Sequence, residues 1–291
     1  MTLSRIGWPR IAGGPSVRRD GARKLSELQG LWADHVRRGT LLPAVRLASA
    51  EHAAQEVATA RGSIGNVAVE QPEPGTFLAL LTDRDRESVL KLGRSRSFAR
   101  GERLMRQGEP GDSVLVLLEG HVKASDIDPH GREIVLSFRG PGDVLGELTF
   151  MHADPRSSNV TAIEPVEARA LAASEFRAYL VENPTAALTL LDVISARFRD
   201  ANSKRVQFGD LDTIGRVAAR LIELGERYGD RTDVGVEITL PITQEDLGSW
   251  TASSRAGVAG ALRTMRDLGW IATDRRRITV LDLGALEQRA V

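Results

Sequence analysis

The sequence predicts an α+β chain in three parts: an N-terminal β-roll (a double-stranded β-helix or jelly roll), a long helix suited to dimerisation, and a C-terminal winged helix-turn-helix. Three observations carry this. Between about 98 and 172, short apolar runs alternate with turn glycines at spacings near ten residues, the pattern of an antiparallel β unit. From Asn183-Pro184 to Gly209 no helix breaker interrupts a single apolar stripe. After 210 the order is helix, tight turn, helix, hairpin.

Residues 1–75 hold two short helix-like patterns: Leu25, Leu28, Trp32 and Val36 at helical spacing, and an Ala-rich run over 49–61. Gln71-Pro72-Glu73-Pro74-Gly75 reads as a linker. The predicted strands are Val114–Leu118, Val122–Ile127 and Glu133–Phe138, each followed by a turn that contains glycine, with Val160–Ile163 and Ala168–Leu171 completing the set. Asn183 suits an N-cap and Pro184 the first helical position. Leu191, Ile194, Phe198, Ala201, Arg205 and Phe208 then step by three and four, a heptad seam that can lie on its own domain or pair with a second copy. Val217, Leu221, Ile222 and Leu224 mark a helix ending before Gly229. Thr243-Gln244-Glu245-Asp246 reads as a cap with an acidic first turn. A break at 251–253 precedes the helix opened by Ser254, which Gly269 closes, and a hairpin over 271–281 completes the wing.

Composition bounds the function. A chain of 291 residues suits about two domains, and 42% apolar with 27% charged residues is a globular balance. No run of about 18 apolar residues predicts a membrane span, and no signal peptide is read at the N-terminus. There is no cysteine, which excludes disulfide scaffolds, thiolate zinc sites, Cys-ligated iron–sulfur clusters and thiol redox sensing, and makes the cytoplasm the expected compartment. Basic and acidic residues number 39 each, so DNA binding needs a local patch. Lysine supplies only positions 24, 91, 123 and 204; codon bias in a GC-rich genome is the expected cause of the arginine excess, ahead of selection for arginine forks. The five histidines lack metal-ligand spacing. No nucleophile–base pair, Walker loop or paired-carboxylate motif is present, so neither catalytic nor metal residues are expected.

Two motifs carry chemistry. Gly146-Glu147-Leu148 is followed by Arg156-Ser157-Ser158. Arg156 offers a fork of N–H donors to a phosphate. Glu147 can accept from a ribose hydroxyl, and backbone N–H groups near Leu148 and Ser157 can finish the cradle. On these residues alone, a Glu147–Arg156 surface pair is the competing reading. The second motif is the helix after Ser253. Ser254 caps it and can touch a phosphate, and Arg255 can reach a base edge in the major groove. From 250 to 281 six arginines, including Arg275, Arg276 and Arg277, face two aspartates. This basic wing suits phosphate contacts, which position rather than specify.

Gly142-Asp143-x-x-Gly146-Glu147-Leu148 with Pro155-Arg156-Ser157-Ser158-Asn159-Val160-Thr161-Ala162 resembles the phosphate-binding cassette of cyclic-nucleotide-binding domains. Gly108-Glu109-Pro110-Gly111-Asp112 and Glu119-Gly120-His121-Val122 match that domain's turns, and Asp212–Ala218 resembles the hinge after the long helix in Crp/Fnr proteins. The resemblance runs from about 77 to 283. It implies a homodimeric transcription regulator whose DNA-binding domains reorient when an effector binds, here a cyclic nucleotide, cAMP ahead of cGMP, with no prosthetic group. It implies a palindromic double-stranded operator and RNA polymerase as partners, and no membrane. A regulator of this type that senses another ligand, and a ligand-binding module acting on a protein partner, are the alternatives.

Carried over by position, Gly146, Glu147, Leu148, Arg156, Ser157 and Ser158 are nucleotide contacts, and Arg197 lies near the phosphate. Ala201 and Asn202 fall where polar side chains reach the base; Ala201 has no hydroxyl, whereas Asn202 can bond a base edge. The DNA contacts implied are Thr243, Gln244, Ser253, Ser254, Arg255, Gly257, Gly260 and the three wing arginines. Ala256 and Gly260 stand where base-reading Glu and Arg are common, so the best-known operator half-site is not transferred. The dimer helix presents Leu191, Ile194, Phe198, Ala201 and Phe208. His152 falls where a related carbon-monoxide sensor has a haem ligand, and the intact cassette argues against haem. The expected domains are 1–75, an extension that is either a mis-called start or a regulatory arm; 76–182, the β-roll; 183–209, the dimer helix; and 210–291, the winged helix-turn-helix.

Overall fold

The computed structural model describes residues 71–150, 154–274 and 277–290. The two helical patterns before residue 70, His152, Arg275, Arg276 and the side chain of Phe208 lie outside the described residues.

Two short helices, α1 (Phe77–Leu80) and α2 (Asp83–Leu90), lead into eight strands. These are β1 (Arg94–Phe98), β2 (Arg103–Met105), β3 (Ser113–Glu119), β4 (Val122–Ile127), β5 (Glu133–Arg139), β6 (Val144–Leu145), β7 (Asn159–Ala162) and β8 (Val166–Ala172). They form two four-stranded antiparallel sheets, ordered β1-β8-β3-β6 and β2-β7-β4-β5. The run Val114–Leu118 shows why one stretch is apolar throughout. Val114, Val116 and Leu118 pack with Phe77, Phe176 and Leu190 on the helical side. Leu115 and Leu117 pack with Val122, Val160 and Ala162 of the other sheet. A strand buried on both faces loses the usual apolar–polar alternation.

Helix α3 (Ala173–Glu182) precedes α4 (Pro184–Asp210), which starts with the predicted proline at its first position. Ala186, Leu190 and Val193 bury one stripe of α4 against the sheets, whereas Leu188, Leu191, Phe198 and Val206 are exposed. The C-terminal part comprises α5 (Thr213–Tyr228), β9 (Gly229–Thr232), β10 (Gly235–Ile238), α6 (Gln244–Trp250), α7 (Arg255–Asp267), β11 (Ile271–Asp274), β12 (Arg277–Val280) and α8 (Leu283–Arg289). Its sheet has the order β11-β12-β10-β9. Two of the three predicted N-caps form: Thr243 and Asp246 make a reciprocal capping box, and the Ser254 hydroxyl accepts from the Gly257 N–H; Asn183 makes no side-chain cap, because its amide donates back to the Tyr179 carbonyl at 2.8 Å. Helices α1, α2, α3 and α8, strands β1, β2 and β6 and the β9–β10 hairpin go beyond the sequence expectation. Gly-Asp-Arg-Thr of β9 carries no apolar alternation; it is a strand because β10 supplies its ladder.

Helix α6 docks on β5, the edge strand of the second sheet. The Ser249 hydroxyl accepts from the Val135 N–H at 2.9 Å and donates to the Glu133 carbonyl at 2.6 Å. An edge that would otherwise stay unpaired is thereby covered. Phe138 meets Trp250 edge to face at 5.0 Å, and Val135 and Phe138 share one apolar cluster with Leu247 and Trp250. Lys123 of β4 donates to Glu133 at 2.7 Å and to Asp246 at 2.8 Å. The helix-turn-helix is thus held against the sheet by apolar contact and a half-buried ion triad.

Candidate functional site

A cavity of about 350 Å³ opens between β4, β5, residues 145–149 and 156–158, and α4, a size typical of small-molecule sites. Gly146, Glu147, Leu148, Arg156, Ser157, Ser158 and Arg197 all line it. Asn202 does not, although its neighbours Asp200 and Ala201 do. Helical phase decides this, because residues one apart on a helix point about 100° apart.

The backbone at Arg156 is fixed by the turn before β3. Its N–H donates to the Glu109 carbonyl at 2.8 Å, and its carbonyl accepts from the Gly108 N–H at 3.0 Å. The Arg156 side chain is buried. It donates from Nη1 to the Thr149 hydroxyl at 3.1 Å, and from Nη2 to the Ser113 carbonyl at 2.7 Å and hydroxyl at 3.0 Å. A guanidinium carries five N–H donors, so among the described residues Nε–H and one Nη1 hydrogen remain unengaged. Burial lowers the Arg156 pKa, against the pull of Asp112, Glu147 and Glu109. Gly146 must be glycine: its φ is +82°, and a Cβ would collide with the Arg156 guanidinium and crowd the Ser113 carbonyl.

Arg197 reaches the cavity from α4. It donates to Glu147 Oε1 at 2.6 Å, to Asp143 Oδ1 at 2.6 Å and to the Val144 carbonyl at 3.0 Å. Burial opposes its charge, but Glu147 and Asp143 outweigh burial and raise its pKa. Asp143 also accepts from the Gly140 N–H and lies 3.9 Å from Arg227 of α5. An anionic ligand here meets two arginines whose forks are held in place by neighbouring acceptors.

Beyond the cavity, the far end of α4 is tied to the C-terminal part. Lys204 of α4 donates to Asp200 at 2.7 Å and to Glu223 of α5 at 2.6 Å, with its ammonium 5.3 Å from the Trp250 ring centroid. Away from the cavity, His121 is bonded through Nδ1 to Glu164 and through Nε2 to Glu73 at 2.8 Å, its ring edge-on to Tyr228. Burial lowers the His121 pKa, but the bonds to Glu164 and Glu73 outweigh it and raise the value to about 9. The imidazole is therefore a cation at neutral pH. Composition gave no sign of these junction contacts, because Lys123 reaches Asp246, His121 reaches Glu73 and Glu164, and Ser249 reaches Val135, all far away in sequence.

The second surface is α7 with its flanking turn. Arg255, Ala256, Gly260 and Arg263 are exposed, and a Cβ at Gly260 would meet open space. Gly257 is half-buried beside Ser254 and Thr213. Thr243 and Gln244 are exposed at the start of α6. Ser253 instead holds the turn: its hydroxyl donates to the Thr251 carbonyl. Arg216 spans the same turn, donating to the Thr251 and Leu211 carbonyls at 2.9 and 2.7 Å. Arg277 is exposed and paired with Glu237 at 2.8 Å. Among the described residues no group of His, Asp and Glu is placed to hold a metal ion, and no helix is long and apolar enough to cross a membrane.

Residues 95–183 match the cyclic nucleotide-binding domain family, and residues 215–289 match the Crp-like helix-turn-helix domain family. Over 193 residues the chain is 32% identical to a CRP-like cAMP-activated global transcriptional regulator of Mycobacterium tuberculosis, covering 66% of this chain and 86% of that protein. The chain belongs to the Crp/Fnr family of transcriptional regulators. This Crp/Fnr regulator is a transcription factor and not an enzyme, and its helix-turn-helix makes DNA its partner. Its first domain is of the kind that holds cyclic-nucleotide-type ligands. A CRP-family transcriptional regulator from Thermus thermophilus superposes with a TM-score of 0.58 at 26% identity, covering 67% of this chain and 96% of that one. FixK2 from Bradyrhizobium japonicum shares the fold, with a TM-score of 0.62 at 20% identity, covering 69% and 98%.

Proposed function

We propose that this regulator is a homodimer that binds a palindromic operator and is switched by a cyclic mononucleotide. The observation that carries the proposal is the convergence of Gly146, Glu147, Arg156, Ser157 and Arg197 on one cavity of about 350 Å³. In this reading the cyclic phosphate takes the free N–H donors of Arg156 and the backbone near Ser157. The ribose hydroxyl competes with Arg197 for Glu147, loosening a contact that ties α4 to the sheets. The M. tuberculosis relative is named as cAMP-activated, which makes cAMP the first ligand to test.

The β-roll of 76–182 is the effector domain, 183–209 the dimer helix and 210–291 the DNA-binding domain. Leu188, Leu191 and Phe198 are between 58% and 67% exposed on α4; a second copy of the helix would cover them. Arg255 reads a base edge from α7, and the wing arginines hold phosphates. RNA polymerase is the further partner at a promoter.

Calorimetric titration with cAMP and cGMP tests the proposal. Micromolar binding that is lost in Arg156→Ala is the expected result. A folded dimer that retards promoter DNA but binds neither nucleotide refutes the nucleotide reading. One observation favours that second reading, a regulator independent of nucleotide: Arg156 and Arg197 already have protein acceptors at 2.6–3.1 Å.

A further inference from the structure

The likeness to cAMP-activated regulators leaves the base unassigned. Ala201 carries no hydrogen-bonding side chain, and Asn202 lies off the cavity wall. Helix α4 contributes five lining residues, Ile194, Arg197, Phe198, Asp200 and Ala201. Two of them are polar. Arg197 is committed to Glu147 and Asp143. Asp200 lies about 4.5 Å further along the helix axis, at about 1.5 Å per residue.

The Asp200 carboxylate is held but not saturated. Its Oδ2 accepts from Lys204, and its Oδ1 accepts no hydrogen bond among the described residues. Lys204 is itself buried and fixed by Glu223 and the Trp250 ring. Asp200 thus lines the cavity with its side chain about half exposed, on the helix that also carries Arg197.

We propose that Asp200 reads the effector's base and selects guanine over adenine. The inference rests on the cyclic-nucleotide reading of the cavity and names its ligand more closely. An ionised carboxylate only accepts hydrogen bonds. The Watson–Crick edge of guanine presents two adjacent donors, N1–H and an N2–H. Adenine presents one N6–H beside the N1 lone pair, which repels a carboxylate oxygen. A base with two adjacent donors satisfies Asp200, and adenine satisfies it by half.

The experiment is calorimetric titration of the full chain with cyclic GMP, cyclic IMP and cyclic AMP, on wild type, D200N, K204M and R156A. Hydrogen bonds to a charged acceptor predict cyclic GMP binding roughly 10- to 100-fold tighter than cyclic AMP. Cyclic IMP keeps N1–H but lacks the 2-amino group and falls between. D200N brings the three within about threefold, because an amide both donates and accepts. K204M breaks the same ion pair but keeps the carboxylate, and retains the preference. Cyclic AMP binding as tightly as cyclic GMP to wild type overturns the assignment. So does an equal loss of preference in D200N and K204M, which would place the effect in the packing of α4. Loss of all three ligands in R156A, with the base preference absent in wild type, leaves the nucleotide reading standing and Asp200 refuted. No binding by wild type refutes both.

Discussion

His121 makes the stability of the domain junction depend on pH in a calculable way. Its imidazole is bonded to Glu73 and Glu164, with Tyr228 against its ring, and Arg227 lies near Glu73. The folded pKa is raised to about 9 from an ordinary value of 6.5. A group whose folded pKa is raised contributes stability that is fully present below the unfolded value. That stability is lost as pH rises through the folded value. At about 1.4 kcal/mol per unit, the full contribution is about 3.5 kcal/mol, of which about 2.5 kcal/mol is present at pH 7 and almost none at pH 10. Other groups titrate in this range, so the comparison variant is His121→Gln, which cannot carry charge. Urea unfolding of both proteins, at one fixed protein concentration, is measured at pH 7, 8, 9 and 10. The wild type is expected to lose about 2.5 kcal/mol more than the variant across that range. Parallel stability curves between pH 7 and 10 would refute a charged His121 bridging the two carboxylates.

Three further outcomes follow from the geometry. Gly146→Ala forces a Cβ against Arg156 at φ +82°; we expect about 1–3 kcal/mol of destabilisation by urea unfolding, with ligand affinity falling in parallel. Trp250→Ala removes the ring that packs on Phe138 and under Lys204 and Arg220; unfolding measurements should show a cost of about 3–5 kcal/mol. Arg255→Ala removes an exposed guanidinium at the start of α7; competition binding against single-base operator variants should show discrimination falling by about 1–3 kcal/mol at one base pair. Equal loss on every sequence would instead mark Arg255 as a phosphate contact.

Much of the local structure could be read from the chain itself. Pro184 opens a helix because its missing N–H costs nothing at the first turn. Thr243 and Ser254 cap helices because their hydroxyls reach N–H groups three residues on. The cassette residues cluster because the Arg156 backbone is tied to Gly108 and Glu109 and its side chain to Ser113, against which Gly146 packs. The helix starts and caps are short-range effects, and residue type with spacing is enough to fix them.

Residue order alone therefore carries the inventory: strands from apolar runs between glycines, the long helix from an unbroken stripe, the caps, and the residues able to meet a phosphate or a base edge. Packing in three dimensions sets the pairings. It made β9 a strand by giving it β10, and it covered the free edge of β5 with Ser249, more than a hundred residues away. It joined Lys123 to Asp246 and His121 to Glu73 across the fold. It also set the phase of α4, turning Asp200 to the cavity and leaving Asn202 off its wall. One cause underlies all of these. A hydrogen bond or ion pair between distant segments depends on where packing brings two backbones together, and no local pattern in either segment records its partner.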